Sequence, residues 1–108
     1  MRFDVRFTAG AERDLEEIHD YIAHADSAAS AGHVLDELQK LCSDLASFPL
    51  RGSYPPALTA IGIRDFRQVA FKAYLVVYRV VDRTVFIHLV ADGRRDMQAL
   101  LARRLLAG

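Results

Sequence analysis

The residues best equipped for chemistry are cations gathered in the second half of the chain. From Arg64 onward there are nine, among them Arg64, Arg67, Arg79, Arg94 and Arg95, against four acids, a net charge near +5. From Ala9 to Phe48 the balance reverses: nine acids face only Arg13 and Lys40, a net near −7, although the whole chain sums to zero. Such a division predicts one acidic, solvated face and one basic face suited to an anionic partner. The blander alternative is that the acidic segment solvates itself while the arginines pair with it across the fold. Arg79 is the sharpest case, because it interrupts the otherwise apolar run Tyr74–Val81. A guanidinium buried there without a partner would be costly, so an internal acid or an anionic ligand must answer it. If the last three strands form a meander, Arg64, Arg67 and Arg79 lie on neighbouring strands, and Arg94 and Arg95 emerge at one end of that surface. Guanidinium forks suit bidentate recognition of phosphates and carboxylates. These five arginines are therefore the candidate target- or partner-binding residues. Tyr78 joins them as a side chain able to stack on a base, although packing against Tyr74, four residues away on the same strand face, is its simpler role.

No comparable case exists for acid–base, thiol or metal chemistry. His19 and His24 are five apart on one helix, about 140° apart around its axis, and cannot share a ligand sphere. His33 sits on the second helix and His88 in an apolar strand, where a satisfied core or interface role fits best. Cys42 falls in an apolar helical stripe, where a thiol behaves as a small hydrophobe. No nucleophile elbow or phosphate-cradling loop accompanies it. The expectation is no catalytic residue, no metal and no cofactor.

The elements that must hold the arginines follow from periodicity. Residues 2–8 alternate polar and apolar as a half-buried strand with Phe3, Val5 and Phe7 inward. Thr8 can cap the next helix, Ala9–Ala25, whose Leu15, Ile18 and Ile22 recur at helical spacing. A second helix starts near Asp26 or Ser27 and runs a stripe from Ala31 through Leu38, Cys42 and Leu45 to Phe48, with Pro49 ending it. The short connection makes the two an antiparallel hairpin whose stripes need a sheet to cover. Residues 49–62 hold all three prolines and read as an irregular loop. Three strands follow, at Ile63–Phe71, Tyr74–Val81 and Thr84–Ala91. The second and third are apolar enough to be covered on both faces. Asp82-Arg83 is a tight turn between them, and Met97, Leu100, Leu101 and Leu105 define a closing helix. The predicted class is α+β, in the order β-α-α-β-β-β-α, with the hairpin packed on a small, mainly antiparallel, twisted sheet. A length of 108 residues fits a single domain, 1–108. With one cysteine no intramolecular disulfide can form. No apolar run approaches the roughly 20 residues of a membrane span, and the start lacks a signal-peptide core, so cytoplasmic is the expected location.

Three stretches together resemble the ParE/RelE toxin superfamily of type II toxin–antitoxin systems. The opening Phe7-Thr8-Ala-Gly-Ala-Glu12-Arg-Asp14-Leu15-Glu-Glu-Ile18 is similar to the start of these proteins. So are Tyr74-Leu-Val-Val-Tyr78-Arg79-Val80 and Val85-Phe-Ile-His-Leu-Val-Ala-Asp-Gly93-Arg94-Arg95-Asp96. The resemblance implies a plasmid-stabilisation toxin held inactive by a cognate antitoxin, in a heterotetramer or larger complex that contacts operator DNA only through the antitoxin. Within the superfamily, RelE-like members are ribosome-dependent mRNA endonucleases and ParE-like members inhibit DNA gyrase. The segment after Asp96 contains neither tyrosine nor histidine. RNA cleavage by the 2′-hydroxyl needs a base, an acid and a charge stabiliser. Arg79 and Arg95 can stabilise charge, but no convincing base accompanies them, so the ParE-like branch is expected. The mRNA interferase remains the alternative.

Overall fold

In the computed structural model, which describes residues 2–106, the chain opens with β1 (Asp4–Phe7) and the helices α1 (Ala9–Ala25) and α2 (Ala28–Asp44). Thr8 and Ser27 end the β-region backbone at each helix start. Their hydroxyls accept from the Ala11 and Ser30 amides, which satisfies donors that a helix N-terminus otherwise leaves open. A short helix, α3 (Pro56–Thr59), precedes β2 (Arg67–Phe71), β3 (Tyr74–Val81) and β4 (Thr84–Asp92). The chain closes with α4 (Met97–Leu101) and a π-helical turn, Ala102–Leu106.

The sheet order is β1-β4-β3-β2, with β1 parallel to β4 and the other pairs antiparallel. The hairpin α1–α2 covers one face through Ala11, Leu38, Cys42 and Leu45 against Val69, Val76, Tyr78, Val85, Ile87 and Val90. Leu58, Phe66, Leu100 and Leu101 cover the other, against Val77, Leu89 and Ala91. Both central strands are thus sandwiched, which is why they read as continuous apolar runs.

Three segments depart from the sequence expectation. Residues 49–62 are not wholly irregular: Pro56 supplies a preset φ at the first position of α3. The strand expected from Ile63 begins only at Arg67. Gly62 takes φ +79° and the Ile63 amide turns back to the Leu58 carbonyl, so residues 63–66 leave the sheet and send Phe66 onto its second face. Phe48, placed in the stripe of the second helix, lies beyond its end and is exposed, because α2 stops at Asp44 and tightens into a turn.

The outer strands are short and staggered. β1 pairs with β4 only from Thr84 to Ile87, and β2 pairs with β3 only from Tyr74 to Tyr78. Arg79–Val81 on one side and His88–Asp92 on the other therefore lack a neighbouring strand, at opposite ends of the sheet. The register jumps between Val77↔Leu89 and Tyr78↔Ile87, leaving His88 as the extra residue of a bulge.

Both hairpins have two-residue turns whose first central residue is left-handed: Lys72 (φ +52°) and Asp82 (φ +54°). Primed hairpin turns need that conformation, and it favours glycine. Lys72→Gly is expected to stabilise the fold by up to about 1 kcal/mol. The shift in denaturant midpoint at unchanged m-value measures it.

Candidate functional site

The structure sorts the five arginines into two clefts. The first, of about 280 Å³, lies beside the end of β3 and is lined by Leu50, Tyr54, Arg64, Asp65, Arg67, Arg79 and Val80. Arg67 is committed internally. Its guanidinium donates to the Gly52 carbonyl at 2.8 Å, to the Leu50 carbonyl at 3.3 Å and to the Tyr54 hydroxyl at 3.1 Å. It thereby pins the proline-containing loop against β2. It also lies 4.6 Å from the Tyr54 ring centroid, and Arg64 approaches the same ring at 5.9 Å. Arg79 is exposed rather than buried, with its guanidinium 5.9 Å from the Phe66 ring centroid. Among the described residues, no carboxylate lies within ion-pairing distance of Arg64, Arg67 or Arg79. Arg64 and Arg79 are held on aromatic faces with their N–H groups open to a ligand.

The second cleft, of about 340 Å³, runs between α1 and the end of β4. Asp14, Glu17, Ile18, Tyr21, Tyr74, Asp92, Arg94 and Arg95 line it. Arg94 donates from Nε to both Asp92 oxygens, at 2.9 and 3.2 Å, and its backbone amide donates there too. These bonds hold the Asp92 carboxyl down at about 2. At neutral pH it is therefore a charged partner for arginine and a weak proton acceptor. Burial, with the Asp92 charge adding to it, raises the Tyr74 phenol and keeps it neutral. Arg95 is exposed and forms no ion pair among the described residues. The expectation of one continuous arginine surface is thus corrected. Arg79 lies five residue steps along β3 from Tyr74, about 17 Å at strand rise, so the clefts stand at opposite ends of the sheet.

Tyr78 leaves the candidate surface altogether. Its side chain is fully buried under the helical hairpin, and burial raises its phenol. The hydroxyl donates to the Pro49 carbonyl at 2.8 Å and accepts from the Gly52 amide at 3.0 Å. It shares a face with Tyr74, as spacing by four requires, but that face is core. A Cβ at Gly52 would stand 2.7 Å from both the Gln68 carbonyl and the Tyr78 hydroxyl, so only glycine admits the tyrosine there.

One network joins residues that no sequence spacing links. Arg104 donates to both Asp14 oxygens, at 2.9 and 3.0 Å, and to the His88 carbonyl at 3.1 Å. Asp14 also accepts the Val90 amide at 3.0 Å. The pair caps the unpaired edge of β4 and ties the C-terminal turn to α1. Gly10 leaves room for it: a Cβ there would meet the guanidinium at 2.6 Å. The sequence signal was an aspartate on the apolar side of α1, beside Leu15 and Ile18, with no local cation to satisfy it.

The titratable groups outside the clefts have structural surroundings. Burial lifts the Cys42 thiol to about 12, which leaves it inert. His88 packs edge-on against Phe66 at 5.5 Å. Burial first, then the charges of Arg79 and Arg104, lower its pKa. A lowered folded-state pKa means stability is full above about 6.5 and falls as the unfolded state takes up the proton first. Melting temperature should therefore decline from pH 7 to pH 5 more steeply in the native chain than in His88→Phe. Equal slopes would remove His88 as the cause. Among the described residues, no group of three or more His, Cys, Asp or Glu side chains is placed to hold a metal ion.

Comparison with known proteins agrees with this architecture. The family model of the ParE toxin of the type II toxin–antitoxin system parDE matches residues 5–97. No curated protein sequence matches the chain. The chain is similar in structure to a protein of the chromosomal ParDE system of P. aeruginosa, with a TM-score of 0.71 at 15% identity, covering 84% of this chain and 96% of that one. It is also similar to a chain of the RelBE2 toxin–antitoxin complex of Mycobacterium tuberculosis, with a TM-score of 0.61 at 24% identity over 85% and 92% of the two chains. A double arginine-to-alanine mutant of E. coli RelE in the free state gives 0.62 at 17% identity over 98% and 100%. At such identities the structures speak for the fold, and the family match carries the assignment. This chain, with its helical hairpin laid on a four-stranded sheet, belongs to the ParE toxin family of type II toxin–antitoxin systems.

Proposed function

We propose that this toxin arrests growth by binding DNA gyrase, acts without catalysis of its own, and is neutralised in the cytoplasm by a cognate antitoxin. The observation that carries the reading is the state of its arginines. Arg64 and Arg79 lie beside aromatic rings with no carboxylate at ion-pairing distance among the described residues, and no histidine lines either cleft. Asp92 is held near 2 by Arg94, and Asp14 is consumed by Arg104 and the Val90 amide. Such a surface recognises an anionic partner better than it moves protons. The antitoxin would set acids against Arg79 or Arg94–Arg95, in a heterotetramer or larger complex that reaches operator DNA through the antitoxin. A role in plasmid stabilisation follows from the same reading.

The likeness to RelE and RelBE2 structures favours one second reading, a ribosome-dependent mRNA endonuclease with Arg64, Arg67, Arg79 and Arg95 on the RNA. Induction in growing cells separates the two. Gyrase inhibition predicts filamentation and a DNA-damage response while protein synthesis continues at first. Immediate translation arrest with mRNA cut at the ribosome would establish the second reading. For the antitoxin contact, charge reversal at Arg95 should weaken binding, and unchanged affinity would count against it.

A further inference from the structure

We propose that the loop of residues 48–54 is the surface by which the toxin docks on its folded protein target, with Phe48 and Leu50 seated in an apolar pocket whose acidic rim meets Arg64 and Arg79. The inference rests on the reading above in taking gyrase as that target.

The loop combines exposure with fixation. Phe48 and Leu50 are each 63% exposed and Tyr54 39%. Single exposed apolar side chains are ordinary, but several on one short segment mark a contact surface. A loop exposing such side chains would ordinarily be mobile, yet this one is tied to the sheet along its length. The Arg51 amide closes a turn on the Phe48 carbonyl at 3.2 Å. The Tyr78 hydroxyl holds Pro49 and Gly52 from beneath, and Arg67 holds the Leu50 and Gly52 carbonyls and the Tyr54 hydroxyl. Ser53 and Gln68 exchange both backbone bonds at 2.7 and 3.0 Å. A buried tyrosine hydroxyl and a strand arginine are thus devoted to one loop. Side chains presented in a fixed geometry lose little conformational freedom on binding, which suits them as the anchors of an interface.

Charge and shape specify the partner. Leu50 and Tyr54 border the cleft in which Arg64, Arg67 and Arg79 face the single carboxylate of Asp65, so the matching surface is acidic around its apolar seat. Phe48 and Leu50 stand out from the surface, and projecting anchors need a pocket to enter. A folded target supplies one, whereas a segment that orders on binding is itself the element that fills clefts. Nucleic acid fits less well, because Leu50 offers no ring to a base and the Tyr54 ring already carries Arg67 at 4.6 Å.

The test measures binding of the full toxin chain to purified gyrase holoenzyme. Phe48→Ser/Leu50→Ser should lose at least about tenfold in affinity while keeping the native melting temperature, since both side chains are exposed. Arg64→Glu/Arg79→Glu should also weaken binding, mainly through slower association with a reduced dependence on salt. Leu106→Ser, which changes an exposed apolar side chain elsewhere, should bind as the native chain does. Affinity for the cognate antitoxin should be unchanged in Phe48→Ser/Leu50→Ser. Native gyrase affinity in that variant would overturn the inference and leave the proposed function standing. So would an equal loss toward the antitoxin, a toxin dimer that the variant dissolves, or adsorption to anionic lipid vesicles that it abolishes, each of which names another occupant. If the native chain does not bind gyrase at all, the proposed function and the inference fail together.

Discussion

Replacing Tyr78 by alanine is expected to destabilise the fold by about 3–5 kcal/mol, the range for deleting a large buried aromatic ring. The ring is fully buried where β2, β3 and the helical hairpin meet. Its hydroxyl adds a second role, since it bonds the Pro49 carbonyl and the Gly52 amide and so fixes the loop that carries Leu50 and Tyr54. Tyr78→Phe isolates that role. It keeps the ring, strands two backbone groups, and should cost about 1–3 kcal/mol. At about 4–8 °C per kcal/mol for a domain of this size, the two variants separate clearly in a melting experiment. Equal melting temperatures for Tyr78→Phe and the native chain would show that the hydroxyl bonds contribute nothing.

Asp14→Ala should have the second largest effect, about 2–3 kcal/mol. A pair broken in full burial costs about 3–5, and residual water access lowers it here. The side chains of Asp14 and Arg104 are 13% and 26% exposed. The change removes both guanidinium bonds and leaves the Val90 amide without its acceptor. Arg104→Ala should cost less, because the aspartate keeps that amide. Both should speed hydrogen exchange in Leu100 and Leu101, whose helix is tied to the body partly through Arg104. Exchange rates unchanged in both variants would mean that apolar packing alone holds the C-terminal segment.

Much of this architecture was legible because its signals are local. Leu15, Ile18 and Ile22 recur at helical spacing, Thr8 and Ser27 stand where caps belong, and the runs Tyr74–Val81 and Thr84–Ala91 are apolar as strands covered on both faces must be. What escaped depends on contacts distant in sequence or on backbone geometry. A left-handed Gly62 ends the expected strand at Ile63 and so creates the open edge beside Arg79. Asp14 and Arg104 are 90 residues apart, and no spacing rule joins them. Arg79 was recognisable as an anomaly in an apolar run, yet whether it was buried or exposed turned on how far β2 extends. The same stagger splits the arginines: Arg94 and Arg95 follow the far end of β4, so the meander that brings Arg64, Arg67 and Arg79 together carries the other two away. Tyr78 has a ring able to stack on a base but belongs to the core, because strand alternation places it with Val76 beneath the helices.

DNA supercoiling by purified gyrase, with the toxin added alone and then with its antitoxin, tests the central claim most directly. The account predicts loss of supercoiling at toxin concentrations comparable to gyrase, restored by stoichiometric antitoxin and weakened in Arg64→Glu/Arg79→Glu. Unimpaired supercoiling by a preparation that still cuts mRNA on translating ribosomes would contradict it.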